Sequence, residues 1–525
     1  MPMTRAPLRR NGDSVVDEIF DIIIVGSGPV GSAFARTVAD LSPDARMLML
    51  EVGPQVSTPA GRHVRRLVDP RESQRAQVAS QGPVRGPLGL PPARALGSDA
   101  DRRLPVGIRP GTFLLSDGML ASDSRGFPAG AMSSNVGGMG AHWSCACPAP
   151  GSSELIPFLP ADQFASALAD SYRLLHVTQH AFDGSELAAG VLGALQARFD
   201  PRLPEGRGVQ AMPLSLPPDA DGVLGLGGTD TILGDLLTEE STRFTLRPDT
   251  LVTSLIRSGD RVVGVRTRSM IDGSEAVIHA GIVYVAADSL RTPQLLHASG
   301  IRPDALGRYL NDHLDVRCFV RLHDDFRDLP RGVSEADRGG LARDAGVVWM
   351  PFLEDVFPFS VQVMQIDASP IALDESTAPW PGSYIGVVVF GGKDLSPDDR
   401  VRFSDTETDA YGMPALKVEH ALSARDHETY GRMFQVEDEI ARTLGTYVSE
   451  AAALQEGGSY HYMGTIRMGE HDDGRSVVDP FGAVWGVDGL WLGGNGVIPT
   501  STACNPTATS VALAVRSAKS VIAGS

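Results

Sequence analysis

The sequence predicts an α/β chain with a nucleotide-binding first domain and a separate sheet in its middle. Three observations predict this. A strand, a glycine turn, a helix and a second strand follow one another over residues 21–51; a strand-like group spans 244–287; and β-branched runs broken by Pro and Gly fill 316 to about 416. A length of 525 residues allows roughly two to four domains and a large core.

The first element is Asp21-Ile-Ile-Ile-Val25, a short apolar run suited to a buried strand. Gly26-Ser-Gly28-Pro-Val-Gly31 follows at once, then apolar residues at helical spacing to residue 40. Met47-Leu-Met-Leu-Glu51 adds a second strand that ends in an acid, the spacing of a Rossmann-like dinucleotide site. Gly26 makes the tight turn, Gly28 lets backbone approach a diphosphate and Gly31 brings helix and strand together, while Glu51 accepts from ribose hydroxyls. From 53 to about 110, arginine, proline and glycine dominate, and we expect a surface excursion, partly disordered. Two helices are expected over 161–199 with a turn near Gly184. Strands are expected at 251–256, 262–266 and 280–286, a helix at 425–444, a last strand at 489–493, and a terminal helix from Pro506 to about 522.

Composition excludes several classes. The formal net charge of −18 argues against nucleic acid, and no apolar run reaches the length of a membrane span. Four cysteines rule out a disulfide scaffold and fit a reducing compartment, and residues 1–21 carry acids where an export signal needs an apolar stretch, so a cytoplasmic protein is expected. Cys145 and Cys147 are too closely spaced for a zinc knuckle and no second pair exists, so no catalytic metal is expected.

Further motifs make the reading more specific. They are Asn135-Val-Gly-Gly-Met-Gly-Ala-His-Trp-Ser-Cys-Ala-Cys-Pro148, the segment 287–301, Gly307-Arg-Tyr-Leu-Asn-Asp-His313, His461-Tyr-Met-Gly-Thr-Ile-Arg-Met-Gly469 and the segment 493–507 around Asn505. In this order they resemble the glucose-methanol-choline (GMC) family of FAD oxidoreductases. Segments 138–148 and 403–414 narrow the likeness to pyranose 2-oxidases and bacterial glycoside and C-glycoside 3-oxidases.

The resemblance implies a Rossmann-like FAD-binding domain and a substrate-binding domain on a mostly antiparallel sheet, the GMC or p-hydroxybenzoate hydroxylase-like architecture. The first would be discontinuous, 16–150, 225–315 and 455–525; the second would span 316–454 with part of 151–224. It implies His461 as base and Asn505 as its partner. It also implies cofactor contacts at Gly138, His142, Trp143, Ser144, Val252, Asn495, Pro506 and Thr507, and substrate contacts at Gln365 and Ser459. His142 matches the position where fungal pyranose oxidases tether FAD covalently; a histidine merely packed beside the flavin is the alternative. Ser144 replaces a threonine near the flavin N5. His313 reads as a hydrogen-bonded structural residue. A sugar-contacting arginine of the fungal enzymes falls in 385–390, which is apolar here, so a more hydrophobic substrate neighbour, such as an aglycone, is expected.

The implied activity is FAD-dependent oxidation of a pyranose or glycoside hydroxyl at C2 or C3. Hydride passes to flavin N5 and electrons to O2, giving H2O2, or to a quinone-like acceptor. A non-sugar alcohol as substrate, or a lyase that keeps FAD structurally, is the alternative. The chain is shorter than the fungal tetramers, and a monomer is expected.

Overall fold

A computed structural model describes residues 18–81, 111–238, 241–330, 346–365, 380 and 382–524. Strand β1, Glu18–Val25, helix α1, Pro29–Leu41, and strand β2, Met47–Leu50, open the chain. β1 lies parallel to β2 on one side and to Glu275–Val285 on the other; Phe244–Arg247 extends the sheet beyond β2. Arg261–Ser269 and Thr250–Ser258 continue it antiparallel, and Leu490–Leu492 joins the end of Glu275–Val285 in parallel. The sheet is covered on both faces, which is why its central strands read as unbroken apolar runs. Ile22 and Ile24 enter a core with α1 and the terminal helix Thr507–Ala523, and Phe34 stacks on Tyr284 there at 3.8 Å. Ile23 and Val25 point into the opposite core, with Leu48 and Leu50. Each such side chain contributes about 1.5–3 kcal/mol through burial.

The second sheet is antiparallel throughout. Its order is Gly445–Ala453, Leu314–Leu322, Tyr384–Gly391, Phe359–Gln365, Val347–Met350, Gln210–Ala211. One face carries Val316, Val320, Val361, Val363, Val387 and Val389 against the helices Glu186–Phe199 and Ala424–Leu444. Leu187, Val191 and Leu195 recur every fourth residue on the first helix and supply its apolar stripe. Ser423 and Asp426 form a capping box at the start of the second.

The hairpin Arg400–Thr408 and Pro414–Glu419 lies within the span expected for the second domain. Its Val401, Phe403, Leu416 and Val418 nevertheless pack into the core of the first sheet. Of the stretch 53–110, residues 82–110 lie outside the described residues. Before them, His63 and Val64 are buried, and the helix Pro70–Gln81 buries Ala76 and Ser80 while the rest of its surface is largely exposed. The helices expected over 161–199 are Ala161–Leu175 and Glu186–Phe199, joined through the short strand Val177–Thr178. Among the described residues no helix is long and apolar enough to cross a membrane. All four cysteines are buried free thiols.

Candidate active site

A cavity of about 420 Å3 runs from the glycine turn to the uncovered face of the second sheet. At the turn, Gly26 has φ +102°, and a Cβ there would lie 2.3 Å from the Ala286 carbonyl oxygen. A Cβ on Gly31 would meet the Gly26 oxygen at 2.2 Å, so this glycine packs helix to strand and does not line the cavity. Gly28 has nothing within 4 Å of its Cβ position and opens onto the cavity, with Gly138 across from it. A diphosphate fits that bare cradle at the start of α1.

Glu51 ends β2 with its carboxylate accepting from Ser27 Oγ (2.7 Å), Ser27 N (3.2 Å) and Gly53 N (3.0 Å). Burial pushes its pKa up, and these donors oppose the rise. His142 shares a hydrogen bond between Nε2 and Thr112 Oγ1 at 3.1 Å, and Trp143 Nε1 donates to the Gly227 carbonyl at 2.7 Å. Both line the cavity, as do Ser144, Val252, Asn495 and Thr507. Asn495 Oδ1 accepts from Ser510 Oγ at 2.6 Å. Pro506 caps the terminal helix and stands back from the cavity. Segment 403–414 serves the nucleotide end. Its Asp409 accepts from Gln294 Nε2 (2.8 Å), Tyr411 bonds Ser134 Oγ (2.8 Å), and the Arg291 guanidinium lies 4.9 Å from the Tyr411 ring centre.

His461 and Asn505 meet at the other end. Gln362 Nε2 donates to Asn505 Oδ1, which turns Asn505 Nδ2 toward His461 Nε2 at 3.4 Å. Nε2 therefore accepts, and the ring proton sits on Nδ1, which donates to His313 Nδ1 at 3.0 Å. His313 then carries its own proton on Nε2, facing Thr502 Oγ1 at 3.3 Å. Burial lowers both histidines: His461 to about 3, with the Arg317 charge adding to the effect, and His313 well below its ordinary value, with His461 adding. His461 is held by its backbone too, since its N–H donates to Asp312 Oδ1 at 3.0 Å. Burial raises Asp312 to about 6 against the donors from Ser459 and His461.

Of the two substrate contacts expected from sequence, Gln365 is corrected. Gln365 does not line the cavity: strand side chains alternate, and it falls on the side of Val361 and Val363. Gln362 and Met364 take the cavity face instead. Ser459 does line the cavity, and its hydroxyl donates to Asp312. Val388 and Phe390 form an apolar wall, yet Arg317, paired across the strands with Val388, brings a guanidinium into the same cavity. Asp315 fixes it at 2.8 Å (Nε) and 2.6 Å (Nη2). Sequence reasoning missed Arg317, Gln362 and the role of His313; period-two alternation from a known neighbour would have found the first two.

Residues 229–315 and 395–514 match the family profile described as GMC oxidoreductase. The chain is 45 % identical to a C-glycoside 3-oxidase of Arthrobacter globiformis, over 95 % of this chain and 94 % of that one. The chain belongs to the GMC oxidoreductase family. A C-glycoside 3-oxidase of Microbacterium trichothecenolyticum is 44 % identical over 95 % and 96 % of the two chains, and a pyranose 2-oxidase of Tricholoma matsutake 31 % over 98 % and 96 %. Among solved structures, pyridoxine 4-oxidase from Mesorbium loti covers 95 % of this GMC oxidoreductase and 99 % of its own chain at TM-score 0.60 and 18 % identity, a likeness of fold alone.

Proposed function

We propose that this GMC oxidoreductase binds FAD and oxidises a secondary hydroxyl of a pyranose glycoside, C-glycosides included, to the keto sugar. The observation that carries the reading is the His461 to Asn505 pair, set in one cavity with the glycine turn and Glu51. Gly26, Gly28, Glu51 and Gly138 would hold the dinucleotide, with His142, Trp143, Ser144, Val252, Asn495 and Thr507 along it. FAD, when bound there, would supply the two-electron acceptor for the hydride that leaves the carbinol carbon.

The chain's own part is the proton. His461 Nε2 takes it from the substrate hydroxyl, and Asn505 Nδ2 donates to the oxygen as negative charge develops. Gln362 keeps the amide from turning its oxygen toward that charge. His313 accepts the Nδ1 proton and so fixes the tautomer in which Nε2 is free. Arg317, Gln362 and the wall of Val388 and Phe390 would receive the sugar and its aglycone. The two relatives named C-glycoside 3-oxidases favour C3 over C2.

The electron acceptor is O2, giving H2O2, or a quinone-like compound. The protein is read as a monomer, and its four buried free thiols support a place in the cytoplasm. Anaerobic mixing of the yellow protein with a C-glycoside and with glucose tests the function: the C-glycoside should bleach the flavin and yield a 3-keto product. Bleaching by neither, with turnover of a non-sugar alcohol, would overturn it. Acid precipitation decides the His142 tether, because free FAD stays in the supernatant.

A further inference from the structure

Glu154 ends the short turn Ser152–Glu154, which follows the cavity-lining segment around Ser144. It is 2 % exposed and does not line the cavity. Its Oε1 accepts from two successive backbone donors, Ala503 N and Cys504 N, each at 2.8 Å, and its Oε2 accepts from Gly151 N at 2.9 Å. Its own carbonyl accepts from Thr500 Oγ1 at 2.9 Å. Cys504 Sγ, in turn, donates to the Pro148 carbonyl at 3.2 Å. All of these bonds but the one from Gly151 tie the segment 148–154 to the loop 500–504, directly before Asn505.

A buried carboxyl is costly unless its oxygens are satisfied. Here the guanidinium nearest in charge, Arg207, donates to the Phe352 carbonyl at 2.8 Å, and the acid is satisfied by backbone N–H groups instead. Two N–H vectors converging on one oxygen restrict the backbone of Ala503 and Cys504, and so the direction in which residue 505 leaves the loop.

We propose that Glu154 is a positioning residue, whose carboxylate fixes the loop before Asn505 and so sets the distance and angle of the Asn505 amide to His461 and the substrate oxygen. This rests on Asn505 acting as the partner of His461. Small displacements of a catalytic group cost up to about 100-fold in rate, and that is the effect to look for.

The test is a double-mutant cycle on the FAD-loaded enzyme, read as the anaerobic flavin reduction rate with flavin content measured alongside. Glu154→Leu should slow reduction on the order of 10- to 100-fold with the flavin absorbance intact. Glu154→Gln, whose amide oxygen can still receive Ala503 and Cys504, should fall between it and the wild type. If Glu154→Leu does not fold, Glu154→Gln carries the cycle. Combined with Asn505→Ala, either substitution should add little further slowing, because its effect runs through the missing amide. Slowing that multiplies in the double variant overturns the positioning role. Near-normal reduction by Asn505→Ala alone overturns the partner role of Asn505, and this inference with it.

Discussion

His461 can take a proton only at the nitrogen its neighbours leave unprotonated, and the bonds from Gln362 through Asn505 to His313 leave Nε2. Because burial and the Arg317 charge hold the ring far below its ordinary pKa, at about 3, the imidazole is neutral throughout the working range. The ring itself should therefore not titrate between pH 7.5 and 5, the range in which Glu154 and Asp312 do, and an imidazole NMR signal of His461 that moved near pH 6.5 would contradict this. His461→Ala should keep the yellow colour and slow reduction by about 10²- to 10⁴-fold. His461 and Asn505 were legible because each stands in a motif. The His313 contact was not, since it joins residues 148 positions apart and depends on the direction of two side chains.

At the scale of elements, strand alternation on Phe359–Gln365 decides which glutamine lines the cavity. Gln362 faces the cavity and Gln365 the helix-covered core. Gln362→Leu should depress turnover at least tenfold, by releasing the Asn505 amide, whereas Gln365→Leu should leave kcat/KM within a few-fold; steady-state kinetics on the same glycoside compare them. The glycine turn offers a second contrast. Gly28→Glu should give a folded, colourless protein, because its side chain enters open space where the diphosphate belongs. Gly31→Val should lower the melting temperature, because its Cβ meets the Gly26 oxygen. Circular dichroism and flavin absorbance separate the two outcomes. The turn was legible because its spacing is local. The face of Gln365 was not, because a wholly buried strand shows no polar alternation to fix its register.

The whole molecule balances buried acids against buried histidines. Glu154 and Asp312 have folded pKa values raised to about 7 and about 6, so the stability they contribute is full below their unfolded values near 4 and is lost as the pH rises to 6–7. His461, lowered to about 3, has the opposite sign: its contribution is full above 6.5 and is lost as the pH falls toward 3. Between pH 4.5 and 6.5 the two trends oppose each other, and single substitutions should expose them. Relative to wild type, Glu154→Gln should gain stability as the pH rises from 4.5 to 7, by at most ~3 kcal/mol. His461→Asn should gain as the pH falls below 6.5. Melting curves across pH check both signs, and like trends would contradict the assignment. The two-sheet architecture was legible in outline from a few apolar runs. The membership of the hairpin 400–419 was not, because its residues pack into a core whose other members lie far away in sequence.

The order of strands in the first sheet also sets a timetable for biosynthesis. β1 emerges early, but its neighbour Glu275–Val285 follows about 250 residues later, on the order of tens of seconds at ribosomal speed. Leu490–Leu492, Asn505 and the helix that packs on α1 come last of all. The glycine turn is thus made long before the sheet that supports it, and the walls of the cavity it opens onto are brought together only once the segment around Asn505 has been synthesised.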